Sequence, residues 1–188
     1  MKISNRSVLF ALSFLVAPLA CPALAVSAVD VLDPNIMTIK DVQGEAVETF
    51  STEQLRTVFS QQTYNTRTPW TAEGETVTYR GPLLADVLSK TGQANGASVR
   101  VTAYDDFYSD ITMDEIGSYH PIIAVERNCT EEDRQIAVCA PEQEFRPISM
   151  VEKGPMFMVW PYDNLPDYYH PSRNAIWVFF PISVQPLP

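Results

Sequence analysis

Apolar and polar positions along this chain alternate only over short runs. Residues 35–42 alternate enough for a strand, Gly44-Glu45 reads as a turn, and residues 46–50 continue extended, so a hairpin is expected there. Ser51 stands as a helix N-cap with Gln54 three residues later, the pattern of a capping box, and Leu55, Val58 and Phe59 line one face of the helix that follows. Residues 62–67 are polar and β-favouring, Thr68-Pro69-Trp70-Thr71 breaks the pattern, and Glu73-Gly74-Glu75 turns the chain into a short strand over 76–80. Gly81-Pro82 introduces a second helix, with Leu83, Leu84, Val87 and Leu88 spaced for burial and Gly92 as terminator.

Residues 98–103 alternate as a strand with Val99 and Val101 inward. Residues 104–111 form a polar-aromatic turn into a short extended piece, 113–116 a helical turn, and 121–126 a buried strand. Residues 127–145 are a charged excursion holding Cys129 and Cys139, and 146–149 bring the chain back. The segment 152–184 then organises the rest. It opens on the turn Lys153-Gly154-Pro155, runs apolar over 156–160, passes through a loop over 162–173 rich in Tyr, Asp, His, Ser and Arg, and closes on a β-rich run over 175–180. Many short strands with a few short helices predict an α+β domain with mixed, curled sheets and flanking helices. A doubly wound sheet is excluded by the irregular alternation and by the absence of a Gly-rich phosphate loop. Fifteen prolines against seven glycines also suit a loop-rich mixed fold better than a helix bundle.

The first 25 residues read differently. Met1 to Arg6 is a short basic stretch, residues 8–19 are apolar, and Ala23-Leu24-Ala25 is a small-x-small cleavage site, with Val26-Ser27-Ala28 as an alternative. This is the pattern of a secretory signal peptide, followed by a flexible segment over 26–34 and a single domain over 35–188. A membrane anchor is disfavoured, because Pro18 and Pro22 interrupt an apolar stretch already short of about 18 residues. Lipidation at Cys21 is disfavoured by Pro18, which stands where an aliphatic residue is needed. The formal charge is −10, and losing Lys2 and Arg6 with the signal makes it −12, which argues against nucleic acid and anionic membrane surfaces as partners. In an exported chain, Cys129 and Cys139 are expected to pair. The two histidines, His120 and His170, are not at metal-ligand spacing from them.

No G-x-S-x-G, H-E-x-x-H, P-loop or G-x-G-x-x-G is present. Three features point instead to a binding site for a planar ring with hydrogen-bonding edges. Trp70, beside a proline in a polar loop, can serve as a stacking platform. Asp105 and Asp106, among Tyr104, Phe107 and Tyr108, offer a carboxylate for ring N–H groups, Asp106 first and Asp105 failing that. Lys153, Ser172 and Arg173 surround the aromatic loop, whose Tyr162 and Tyr169 would form part of a wall.

These residues carry a resemblance. Tyr79-Arg80-Gly81-Pro82-Leu83-Leu84-Ala85-Asp86-Val87-Leu88 resembles the aromatic-x-Gly-hydrophobic-x-Leu-x-Asp-x-Leu signature of the molybdopterin-binding domain of the sulfite oxidase family. Residues 103–111 resemble the segment written Ala-Leu-Asn-Asp-Tyr-Ser in its small exported members. Residues 121–128, 153–163 (Lys-Gly-Pro through Pro-Tyr-Asp) and 172–177 (Ser-Arg-Asn-Ala-Ile-Trp) match further family segments, so the likeness spans about 35–184. It implies the sulfite oxidase fold and a pterin-type ligand. The sequence departs from the family in having no cysteine between Cys21 and Cys129, where the redox members supply a thiolate to molybdenum; Thr68-Pro69-Trp70 stands there instead. The resemblance is therefore to small exported pterin-binding sensors. They imply a metal-free pterin, no catalytic residues and a membrane-bound signalling partner with a periplasmic domain. A molybdopterin-dependent oxidoreductase with another metal ligand, and an interaction module with no small ligand, are the alternatives.

Overall fold

The computed structural model describes residues 32–188; the expected signal peptide, with Cys21 and the cleavage sites, lies outside the described residues. Within them, strands and short helices alternate as an α+β domain. Strand β1 (Ile36–Lys40) alternates as its sequence does, burying Met37 and Ile39, and pairs with β2 (Ala46–Ser51) as an antiparallel hairpin. Both belong to a five-stranded sheet ordered β2-β1-β11-β5-β6, with β5 at Ser98–Ala103, β6 at Tyr108–Thr112 and β11 at Pro181–Leu187. The β1–β11 pair is parallel and the others are antiparallel. A second sheet of four strands runs β3 (Gln61–Thr66), β4 (Val77–Pro82), β8 (Glu126–Asn128) and β9 (Phe145–Pro147). A third pairs β7 (Ile122–Ala124) with β10 (Phe157–Val159).

The four described α-helices are short, and three of them are capped by their own side chains. In α1 (Thr52–Val58) the capping box of Ser51 and Gln54 forms as expected, but Leu55 is the one buried residue and Val58 is 48% exposed. One apolar residue is all a two-turn helix lying on a sheet edge presents here. Helix α2 (Leu84–Lys90) buries Leu84, Val87 and Leu88. It starts later than Gly81-Pro82 implied, because those two residues finish β4. Helices α3 (Met113–Tyr119) and α4 (Glu131–Gln135) carry capping boxes from Thr112 with Glu115 and from Thr130 with Asp133. No helix of the described residues is long and apolar enough to cross a membrane.

The closing strand lies elsewhere than the sequence placed it. Residues 175–180 form a 3-10 turn (Asn174–Ile176) and an irregular run that touches β10 through a single bridge, Phe157 to Phe179. Phe180 takes a left-handed φ of 51° and swings the chain into β11, in another sheet. Trp177 and Val178 are apolar because they are core, and an apolar run looks the same in a strand or in a buried irregular segment.

Cys129 and Cys139 form the expected disulfide, with Cα atoms 6.2 Å apart. On the chain-entropy model, replacing both by alanine is expected to lower stability by about 2–3 kcal/mol. Denaturant unfolding of the pair variant beside wild type measures this; equal midpoints would show that the excursion is held by its polar contacts alone.

Candidate binding pocket

The β3–β4 loop turns Trp70 outward. Thr68 is buried, its hydroxyl pairs with the Thr71 hydroxyl at 2.9 Å, and the Trp70 amide donates to Thr68 Oγ1 at 3.3 Å. This closes a tight turn that leaves Trp70 half-exposed while its ring lies 4.8 Å from that of Phe179. The β5–β6 hairpin brings up Asp105. Asp106 adopts a left-handed φ of 65° in that turn, and the Phe107 amide donates to Asp105 Oδ1 at 3.2 Å. The run before β11 supplies the third side. It contributes Asn174, Ala175, Trp177, Phe179 and Phe180.

These three pieces enclose a cavity of about 390 Å³, lined by Trp70, Asp105, Phe107, Trp177, Phe179 and Phe180, with Asn174 and Ala175 at one side. Its size falls within the range of about 300–1,000 Å³ usual for small-molecule sites. The walls are aromatic and the polar groups few. Asn174 Oδ1 is buried without a hydrogen-bond partner, an acceptor whose desolvation is left uncompensated. The Lys153 ammonium sits at the aromatic wall, 4.7 Å from the Trp70 ring centre and 4.5 Å from that of Phe179. Burial lowers its pKa, and both rings present their negative faces to it.

The residues singled out in the sequence therefore divide. Trp70 and Asp105 line the cavity and Lys153 touches its wall. Asp106 is exposed in the turn and does not line it. Tyr162 stacks on His170 at 3.8 Å under the Arg67 guanidinium and reaches the pocket only through Trp177, 6.1 Å away. Ser172 is exposed, and its hydroxyl donates to the Tyr168 carbonyl. Arg173 and Tyr169 serve Glu115 rather than the cavity. The guanidinium grips that carboxylate with two bonds of 2.8 Å and gives a third to the Asp110 carbonyl, while the Tyr169 hydroxyl donates at 3.0 Å. Burial pushes Glu115 up, but Arg173, the Thr112 amide and Tyr169 outweigh it and hold the group at about 2. Burial and the Glu115 charge raise Tyr169. Asn174, Phe107, Phe179 and Phe180 were not foreseen as site residues. No spacing signal marked them, since 174–176 is a 3-10 turn and adjacent residues, Asn174 with Ala175 and Phe179 with Phe180, line the cavity together.

Among the described residues no group of three His, Cys, Asp or Glu is placed to hold a metal, and both described cysteine sulfurs are spent on each other. The donor set does not fit a thiolate-held metal. The cavity itself is walled mainly by aromatic side chains, with Asp105 and Asn174 as its polar residues.

No family model matches the sequence, and no curated protein matches it. Among solved structures the chain is similar to the sulfane dehydrogenase SoxCD from Paracoccus pantotrophus, with a TM-score of 0.52 and 14% identity, over 84% of this chain and 39% of that one. The chain thus spans about two fifths of the length of the chain it matches. The likeness supports an α+β fold related to that of this sulfane dehydrogenase, and at this identity it speaks for the fold alone.

Proposed function

We propose that this protein binds a pterin without transforming it. The observation that carries the reading is one cavity in which the aromatic walls of Trp70, Trp177 and Phe179 meet the acidic residue Asp105. A pterin's 2-amino and ring N–H groups are donors in the plane of a flat ring. They would donate to the Asp105 carboxylate while the ring lies against Trp70 and Phe179. Asp105 takes the carboxylate role ahead of Asp106 because it lines the cavity. The family resemblance supports a metal-free pterin ligand, a periplasmic location after signal cleavage and a membrane-bound signalling partner. The disulfide suits an oxidising compartment.

Calorimetric titration with neopterin tests the site. Asp105→Ala and Trp70→Ala are each expected to weaken binding about tenfold or more, about 1.4 kcal/mol, and Asp106→Ala to leave it unchanged. The reverse order for the two aspartates would move the site away from this cavity, and a wild-type protein that takes no pterin would end the reading.

A further inference from the structure

The aromatic wall is tied to the disulfide-bounded excursion by a continuous run of ion pairs. Asp133, in α4 between the two cysteines, is 7% exposed and pairs with Arg146 at 2.8 Å. Arg146, equally buried, grips the Glu152 carboxylate with two bonds of 2.6 Å. Arg127 adds a bond of 2.7 Å and the Ser149 hydroxyl another of 2.7 Å to the same carboxylate. Glu152 ends a 3-10 turn (Met150–Glu152), and the next residue, Lys153, holds a left-handed φ of 71° with its amide bonded to the Met150 carbonyl at 3.2 Å. A non-glycine residue keeps that conformation when its surroundings over-determine it. Here a carboxylate held by two guanidiniums fixes one side of the turn. On the other, Gly154 abuts Ile148 so closely that a Cβ would stand 2.4 Å from the Ile148 carbonyl oxygen. The turn delivers the Lys153 ammonium onto Trp70 and Phe179.

We propose that Glu152 and Arg146 are positioning residues of the pocket: by fixing this turn they place the Lys153 ammonium on Trp70 and Phe179 and so set the stacking wall. The inference deepens the pterin-pocket reading and rests on it for its binding consequence. Its structural half can be measured without ligand.

Trp160 and Trp177 are buried, at 0% and 2% exposure, whereas Trp70 is at 50%, so a quencher in solution reads Trp70. Iodide is drawn to a nearby ammonium and neutral acrylamide is not. A unit charge about 5 Å away, partly screened, should enrich iodide about twofold. Lys153→Met is therefore expected to lower the iodide-to-acrylamide quenching ratio about twofold. Glu152→Gln, nearly isosteric, also removes a negative charge, so its ratio is divided by the effect it has in the Lys153→Met background; the corrected ratio should fall about twofold in the wild-type background. Arg146→Lys, which keeps the charge but loses the fork, should act in the same direction and covers the case in which Glu152→Gln folds poorly. A folded Glu152→Gln protein whose corrected ratio equals that of wild type overturns the proposal, since a merely stabilising network would lower the melting temperature and leave Trp70 as it was. In the ligand arm, neopterin affinity should fall about threefold in Glu152→Gln, roughly 0.7 kcal/mol. A wild-type protein that takes no neopterin overturns the pocket reading and the binding half of this one. A wild type that binds, beside a Glu152→Gln protein with unchanged affinity and unchanged corrected ratio, overturns the positioning alone.

Discussion

An Arg173→Ala protein is expected to lose about 3 kcal/mol of stability at neutral pH, the cost of leaving a buried carboxylate without its partner. Its pterin affinity should fall by less than about threefold, under roughly 0.7 kcal/mol. The sequence suggested the opposite, a loop arginine free to meet a ligand. The structure commits all of the observed guanidinium bonds to Glu115 and the Asp110 carbonyl. The pH dependence separates the two roles. Glu115 has a folded pKa of about 2 against an ordinary 4.5, so its ionised form contributes stability above about pH 4.5, lost as pH falls towards 2. Without Arg173 the carboxylate stays buried beside Tyr169 and its pKa rises. The deficit of the variant should then be largest near pH 7 and shrink towards pH 3. Denaturant midpoints across that range measure it. A deficit independent of pH, or a tenfold loss of affinity at unchanged stability, would return Arg173 to the ligand.

What the sequence disclosed follows from range. Capping at Ser51 and Gln54, alternation over 98–103 and the pairing of Cys129 with Cys139 depend on neighbours within about ten residues, and each took the expected form. The cavity wall and the Glu115 ion pair each depend on contacts far apart in the chain: Trp70 meets Phe179, and Arg173 meets Glu115. A polar-aromatic loop therefore announced a site without saying which polar groups are already spent. Trp70 and Asp105 line the cavity and Lys153 touches its wall, whereas Tyr169 and Arg173 turn to a carboxylate on α3 that nothing in local sequence marks as their partner. The same limit misplaced the closing strand. Apolar residues at 175–180 are buried by packing, and the left-handed Phe180 that ends the run is not a position at which sequence preference signals a turn.

Gly81→Ala is expected to be the most damaging single methyl group in the chain. A Cβ there would stand 2.0 Å from the Ile123 carbonyl oxygen, 2.7 Å from its carbon and 2.8 Å from the Ala124 Cα. All three are backbone atoms, so no rotamer change relieves the overlap, and β4 and β7 must separate. Beside the contact lie the bridge from Leu83 to Ile122 and the bond from the Leu84 amide to the Pro121 carbonyl at 2.9 Å, which start α2. The cost should reach about 3 kcal/mol, the upper end of overpacking, and lower the melting temperature by about 6–12 °C. Gly117→Ala in α3 is the control. Nothing lies within 4 Å of its Cβ position, and alanine should there be neutral or stabilising by up to about 1 kcal/mol. Similar losses for the two variants would show that the close approach does not decide the matter. The glycine that the sequence offered as a helix start is thus the place where two sheets touch. Because β7 carries β10, whose Phe157 ring packs 4.9 Å from Phe179, displacing β7 also moves a wall of the cavity. Gly81→Ala should therefore weaken pterin binding along with the fold, whereas Asp105→Ala should weaken binding alone.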